Sequence, residues 1–284
     1  MTPFELAEPR SLQDALALLN TDDPSVRAFG GCTALMLMMK TGVFQPTCLV
    51  SLRGVEPQHA AIQSDGGVLR IGALATLTAI GGSTMVRKAA PVITHAMQTL
   101  SNVRVRNVAT LGGHLAHGDP HMDLPPVMIA LDAELTAVSV KSVRTLAVAD
   151  LFTGYYETAL AKNELISEVR IPSQAGRRSA YIKCTTRTAD DWPALGIAVS
   201  FATDGKVIQD ARVVVSAATE KAVRLRDAEA VLNGATISDV VLARAGEAAA
   251  AEAEVVGDAR GSAAYKREML RVYAARAVKQ ALAA

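Results

Sequence analysis

Cysteine is scarce in this 284-residue chain: Cys32, Cys48 and Cys184 stand far apart and form no Cys-x-x-Cys pair. No zinc or iron–sulfur site can be built from these thiols alone, and no disulfide framework is suggested. Redox work, if the chain does any, must use a bound organic cofactor. Excess charge is lacking too, with 29 Lys+Arg against 28 Asp+Glu. A general nucleic-acid binder draws its affinity from surplus positive charge, so that class is set aside. The longest apolar run, residues 34–39, is far too short to span a bilayer. The N-terminus, MTPFELAEPR, is acidic and lacks the basic-then-apolar layout of a signal peptide, so a cytoplasmic location is expected. Aromatic residues make up only 4% while alanine is abundant, which reads as source composition rather than function.

The pattern along the chain predicts α+β architecture. Ser11-Leu-Gln-Asp14 resembles a capping box ahead of a short helix whose apolar face is Leu12, Ala15, Leu16 and Leu19. A strand at 26–29 runs into Gly30-Gly31, a second helix follows over 33–40, and a strand at 48–52 completes a small α/β unit, residues 1–54. A second unit, 55–174, holds an alternating segment at 68–71, a helical stretch over 85–101, and strands at 134–140, 144–148 and 164–171. The polar, turn-prone stretch 172–178 is the best linker candidate. The third unit, 175–284, is expected to carry a three-stranded antiparallel sheet at 179–185, 194–201 and 211–217, with Thr203-Asp-Gly-Lys206 as a hairpin turn. Helices at 224–232, 240–253 and 264–284 follow.

Two segments share one design, a strand, a glycine pair and a small polar residue: Phe29-Gly30-Gly31-Cys32-Thr33 and Thr110-Leu111-Gly112-Gly113-His114. Paired glycines free the backbone of Cβ crowding, so that successive N–H groups can converge on one anion. The first pair also opens a helix, whose N-terminal amides favour phosphate. Thr33 and Thr110 can add hydroxyl donors. Two such loops could grip a diphosphate from two sides. Neither is the G-x-G-x-x-G fingerprint of a Rossmann site, and singly each also reads as an ordinary turn.

The longer stretch Thr110-Leu-Gly-Gly-His-Leu-Ala-His-Gly-Asp-Pro-His-Met-Asp-Leu-Pro125 is far more specific. It resembles the T-[IL]-G-G-N-x-A-x-[GA]-D-P-x-x-D-x-P stretch of the FAD-binding medium subunits of molybdenum hydroxylases, the xanthine dehydrogenase and carbon monoxide dehydrogenase family. The first pair resembles that family's A-G-G-x-[ST] loop at a similar distance from the N-terminus. The likeness extends over essentially the whole chain, including Glu164-Leu-Ile-Ser-Glu-Val-Arg-Ile-Pro172 and the helical tail.

The resemblance implies a two-subdomain FAD-binding fold of the vanillyl-alcohol-oxidase type plus a C-terminal domain. It implies that residues 29–33 and 110–114 hold the FAD diphosphate, that Asp123 lies near the ribose-adenine part, and that Leu165 and Ile166 contribute backbone contact. Lys183-Cys-Thr-Thr-Arg187-Thr-Ala-Asp-Asp191-Trp192 is similar to the family's K-x-x-x-R-x-x-x-D-[YF]. Trp192 would then shield the isoalloxazine ring, and Lys183 or Arg187 could offset charge on reduced flavin. Two positions depart from the family pattern: His114 replaces an asparagine and Cys32 a glutamine or histidine. The implied partners are a large molybdopterin-binding subunit and a small subunit with two two-iron clusters, assembled as a dimer of heterotrimers. FAD would pass electrons from those clusters to an acceptor such as NAD⁺, a quinone or oxygen.

Three other readings stay open at this point. His114, His117 and His121, interleaved with Asp119 and Asp123, could bind a metal, although Gly118 and Pro120 break helical ligand spacing. The chain could be a stand-alone FAD-dependent oxidoreductase with its own substrate pocket, although its C-terminal third is short of Tyr, His and Cys. It could also be a scaffold that no longer binds FAD.

Overall fold

The computed structural model describes residues 2–283. The first unit contains β1 (Glu5–Ala7), α1 (Leu12–Leu19), β2 (Val26–Phe29), α2 (Thr33–Lys40) and β3 (Cys48–Ser51). Ser11 caps α1 by accepting from the Asp14 amide. The strands form a parallel sheet in the order β1-β3-β2, so β3 lies in the middle and Phe29, the last residue of β2, sits opposite Ser51. Ala15, Leu19, Val50, Leu52 and Val55 make its small core.

The second unit begins with the hairpin β4 (Ile62–Asp65) and β5 (Val68–Gly72). Six short helices follow: α3 (Leu77–Gly82), α4 (Thr84–Ala89), α5 (Pro91–Ala96), α6 (Val103–Arg106), α7 (Leu111–Ala116) and α8 (Leu124–Ala130). The continuous helix expected over 85–101 is thus broken. Ser83 caps α4 through the Val86 amide, and Pro91, which has no N–H to donate, starts α5 afresh. Strands β6 (Glu134–Val138), β7 (Val143–Ala147), the small hairpin β8 (Phe152–Gly154) and β9 (Glu157–Thr158), and β10 (Leu165–Ile171) complete the unit. Its antiparallel sheet has the order β4-β5-β10-β6-β7.

The C-terminal sheet contains β11 (Arg177–Cys184), β12 (Leu195–Thr203), β13 (Ile208–Ser216) and β14 (Val223–Arg224), in that order. It has four strands, not the three expected. The fourth pairs through only two residues, Arg224 with Val214 and Val223 with Val215, too short to register as alternation in a sequence. Helices α9 (Arg226–Leu232), α10 (Asp239–Glu252) and α11 (Ala263–Ala283) cover one face. Every residue of β12 from 195 to 201 is buried, because the sheet packs on both sides. Ile197, Val199, Phe201, Val213 and Val215 point into the core under the helices, whereas Ala198, Val214 and Tyr181 join the core of the second unit. Helix α8, buried at all seven positions, packs against β12 and β13 on that second side.

Candidate functional site

The two glycine loops meet. A Cβ added to Gly31 would stand 2.3 Å from the Val108 carbonyl oxygen and 2.7 Å from Ala109 Cα, and one added to Gly30 would be 2.7 Å from Thr110 Oγ1. Glycine is therefore required at both positions by close approach, since backbone and a capping side chain occupy the space. In the first loop Cys32 adopts the left-handed conformation, φ 59° and ψ 16°, and α2 starts at Thr33 with no side-chain cap. Among the described residues no protein acceptor meets the N–H groups of Gly30, Gly31 or Cys32. Together with the first-turn amides of α2 they form a set of open donors that suits an anion.

Arg53, which carries no motif signal in the sequence, orients this set. Its Nε donates to the Gly30 carbonyl at 3.1 Å and its Nη2 to the Gly31 carbonyl at 3.3 Å, while the guanidinium lies 5.8 Å from the Phe29 ring centroid. The carbonyl and the following N–H of a trans peptide point in opposite directions, and the chain has no cis bond among the described residues. By holding the two carbonyls, Arg53 aims the Gly31 and Cys32 amides the other way.

The second pair differs from the strand-and-turn design expected. Gly112 and Gly113 lie in the first turn of helix α7, where Thr110 is the N-cap and accepts from the Gly113 amide at 3.2 Å. The Leu111 amide donates to Ala75 at 3.0 Å and the Gly112 amide to Ala73 at 2.7 Å. These amides are already bonded within the protein, so the open amide donors at the meeting point belong to the first loop. A Cβ on Gly112 would stand 2.7 Å from Ala73 Cβ, so this glycine serves the close docking of α7 on the segment after β5. Leu111 is fully buried in the core.

His114 is buried, and its Nε2 accepts the Leu124 amide at 3.4 Å. Burial, with a smaller contribution from His117, lowers its pKa to about 3, so the ring is neutral at ordinary pH. It supplies an acceptor at the start of α8, where Asp123 provides no side-chain cap. Asp123 instead accepts from Tyr181 Oη at 2.7 Å and from Lys183 Nζ at 3.1 Å, and Lys183 also donates to the Thr99 carbonyl at 2.8 Å. Burial pushes the Asp123 carboxyl up, against the opposing pull of Lys183 and Tyr181. Asp123 and Lys183 thus form a closed ion pair that joins the second unit to β11. Leu165 and Ile166 begin β10, with Leu165 against the first unit's core and Ile166 in the second's.

Trp192 sits in the loop between β11 and β12, 41% exposed, with the Arg260 guanidinium 5.5 Å from its ring centroid. Arg187, in the same loop, is exposed. The remaining histidines point to separate partners. His117 meets Tyr156 edge-on at 5.2 Å, whereas His121 lies between Asp119, 2.9 Å from Nδ1, and Asp258, 2.8 Å from Nε2. Among the described residues no three His, Cys, Asp or Glu side chains are placed to share a metal ion.

Residues 2–174 match the family described as the FAD binding domain in molybdopterin dehydrogenase, and residues 180–281 match the CO dehydrogenase flavoprotein C-terminal domain. The chain is 34% identical to the nicotine 6-hydroxylase medium subunit of Paenarthrobacter nicotinovorans, over 97% of this chain and 96% of that protein. It is 31% identical to the carbon monoxide dehydrogenase medium chain of Hydrogenophaga pseudoflava, over 98% of this chain and 96% of that one. A solved structure of carbon monoxide dehydrogenase from Hydrogenophaga pseudoflava, lacking the Mo-pyranopterin moiety, is similar with a TM-score of 0.95 at 32% identity, covering 100% of this chain and 99% of the matched one. The loop with open amides, the two matched domains and whole-length relatives agree: the chain belongs to the FAD-binding medium subunits of the molybdenum hydroxylases, oxidoreductase subunits whose cofactor is FAD.

Proposed function

We propose that this chain takes electrons from the two-iron clusters of a small partner subunit and passes them through FAD to an external acceptor. A large molybdopterin-binding subunit completes the complex, which we take to be a dimer of heterotrimers in the cytoplasm. The observation that carries the reading is the row of open amides at Gly30, Gly31 and Cys32, the last two aimed by Arg53, with no side-chain cap at the start of α2. Such a row suits the FAD diphosphate, with Thr33 and Thr110 as hydroxyl neighbours. FAD supplies a ring that is stable with zero, one or two added electrons, and so couples single-electron carriers to a two-electron acceptor.

The chain's own residues bind and position. Phe29 to Thr33 hold the diphosphate, Thr110 to His114 buttress that loop, and Trp192 shields the ring end from water. Leu165 and Ile166 lie where the first and second cores meet, and their backbone contributes contact to the cofactor. Asp123 and Lys183 hold residues 175–284 against the cofactor-binding units. A stand-alone oxidoreductase is the weaker reading, because the C-terminal sheet has both faces packed and offers neither to a substrate.

Affinity purification of the tagged chain from its native host tests the proposal. Two partner subunits should accompany it, one with molybdenum and one with iron and acid-labile sulfide. The complex should show a flavin absorption band that bleaches when its organic substrate is added. A chain that purifies alone, with bound FAD and substrate-dependent reduction of its own, would refute the complex.

A further inference from the structure

Aromatic residues are few in this chain, yet three exposed ones gather at one place. Tyr155, Tyr156 and Trp192 are 56%, 43% and 41% exposed, and Arg260 lies near two of them, Trp192 and Tyr156. The Tyr155 and Tyr156 rings meet edge-on at 4.8 Å, Tyr156 meets His117 at 5.2 Å, and the Arg260 guanidinium lies over Trp192. Arg260 is also near enough to Tyr156 to oppose the upward push that burial gives its hydroxyl. Tyr156 stands in the left-handed region at φ 59°, a strained conformation for an aromatic residue, fixed by the hydrogen bond its amide donates to the Gly118 carbonyl at 3.1 Å.

Arg260 is held with unusual care for a residue whose head is free. Its amide donates to Asp258 Oδ1 at 2.8 Å, in a turn closed by paired backbone bonds between Asp258 and Gly261. The other Asp258 oxygen meets His121 Nε2 at 2.8 Å and Lys266 Nζ at 2.9 Å, and Lys266 is completely buried. The carboxylate of Asp258 is thereby paired with Lys266, not with the Arg260 guanidinium. Among the described residues the Arg260 guanidinium has no carboxylate within ion-pair distance and no hydrogen-bond acceptor.

Position then matters. The N-cap of helix α7 is Thr110, against Gly30, and its C-cap is His117, against Tyr156. At 1.5 Å per residue the two ends are about 10 Å apart, a reach similar to the ribityl chain that separates the flavin ring from its diphosphate. Of the two cations suggested by the sequence pattern, Lys183 is committed to Asp123 and Arg187 is exposed in the loop before Trp192.

We propose that Arg260 is the residue that stabilises the reduced flavin ring, as a fixed and uncompensated cation beside Trp192. The inference rests on the FAD assignment and deepens it. Two-electron reduction with uptake of one proton leaves the flavin with one negative charge, and a preorganised guanidinium favours that form over the neutral oxidised ring.

The test compares both redox forms in one variant. The full chain is stripped of FAD and titrated anaerobically with oxidised and with dithionite-reduced FAD, and the midpoint potential of the reconstituted protein is measured. Arg260→Met should weaken reduced FAD about ten-fold and oxidised FAD less than about two-fold, lowering the midpoint potential by about 30 mV. Arg260→Lys should recover most of that shift. Equal weakening of both forms, up to complete loss, would overturn the proposal, as would no change in either. A wild-type chain that binds neither form would sink the FAD assignment itself, which separates the two failures.

Discussion

Replacing Gly31 by alanine tests the convergence of the two loops at its tightest point. The new Cβ would be placed 2.3 Å from the Val108 carbonyl oxygen and 2.7 Å from Ala109 Cα, where ordinary contact begins at 3.4 Å. The obstructing atoms are backbone, so no rotamer change can relieve the clash, and one segment must retreat by roughly 1 Å. Val108 and Ala109 are tethered: the Ala109 carbonyl accepts from Leu77 at 2.9 Å, and the Ala109 amide donates to Val105 at 2.8 Å. Overpacking of this kind costs about 1–3 kcal/mol. Because the strained segments form the proposed diphosphate cradle, the cost should appear in FAD affinity, raising Kd roughly 5- to 150-fold at about 1.4 kcal/mol per decade. Titration of the apo-protein with FAD, followed by flavin fluorescence, measures it. Gly82→Ala is the control, since its Cβ meets nothing within 4 Å and it touches neither loop. Wild-type affinity in Gly31→Ala would refute the argument that this contact sets the cradle.

Removing the Arg53 guanidinium in Arg53→Met releases the Gly30 and Gly31 carbonyls and should weaken FAD roughly 5- to 30-fold, from about 1–2 kcal/mol of lost hydrogen bonding, with little change in thermal stability. His114 is expected to make the protein acid-sensitive. Its folded pKa of about 3 lies below the usual 6.5, so between these values the unfolded chain binds the extra proton and stability rises with pH. Urea unfolding should show His114→Asn losing about 1 kcal/mol less than wild type on going from pH 7 to pH 5.5, and parallel losses would contradict the assignment. Met128→Ala, at a fully buried position of α8, should destabilise by about 2–5 kcal/mol in the same assay.

The features legible in the sequence are those with a local cause. Gly30 and Gly31 announce a backbone that other atoms approach closely, and the loop from Thr110 to Pro125 is long and particular enough to identify its family by resemblance. The strands β11 to β13 were readable because nearly unbroken apolar runs separated by an Asp-Gly turn admit few other arrangements. The two-residue β14 was not readable, because its pairing depends on where β13 lies.

The amino-acid order by itself therefore determined the family and the cofactor, since both follow from residues adjacent in the chain. Which groups remain open to that cofactor was decided only by the folded structure. The Gly112 and Gly113 amides are satisfied by Ala73 and Thr110, Lys183 closes on Asp123 across 60 positions, and Arg260 comes to Trp192 from a distant turn. A side chain's type states what it can bond, but its availability depends on what the tertiary packing has already placed against it.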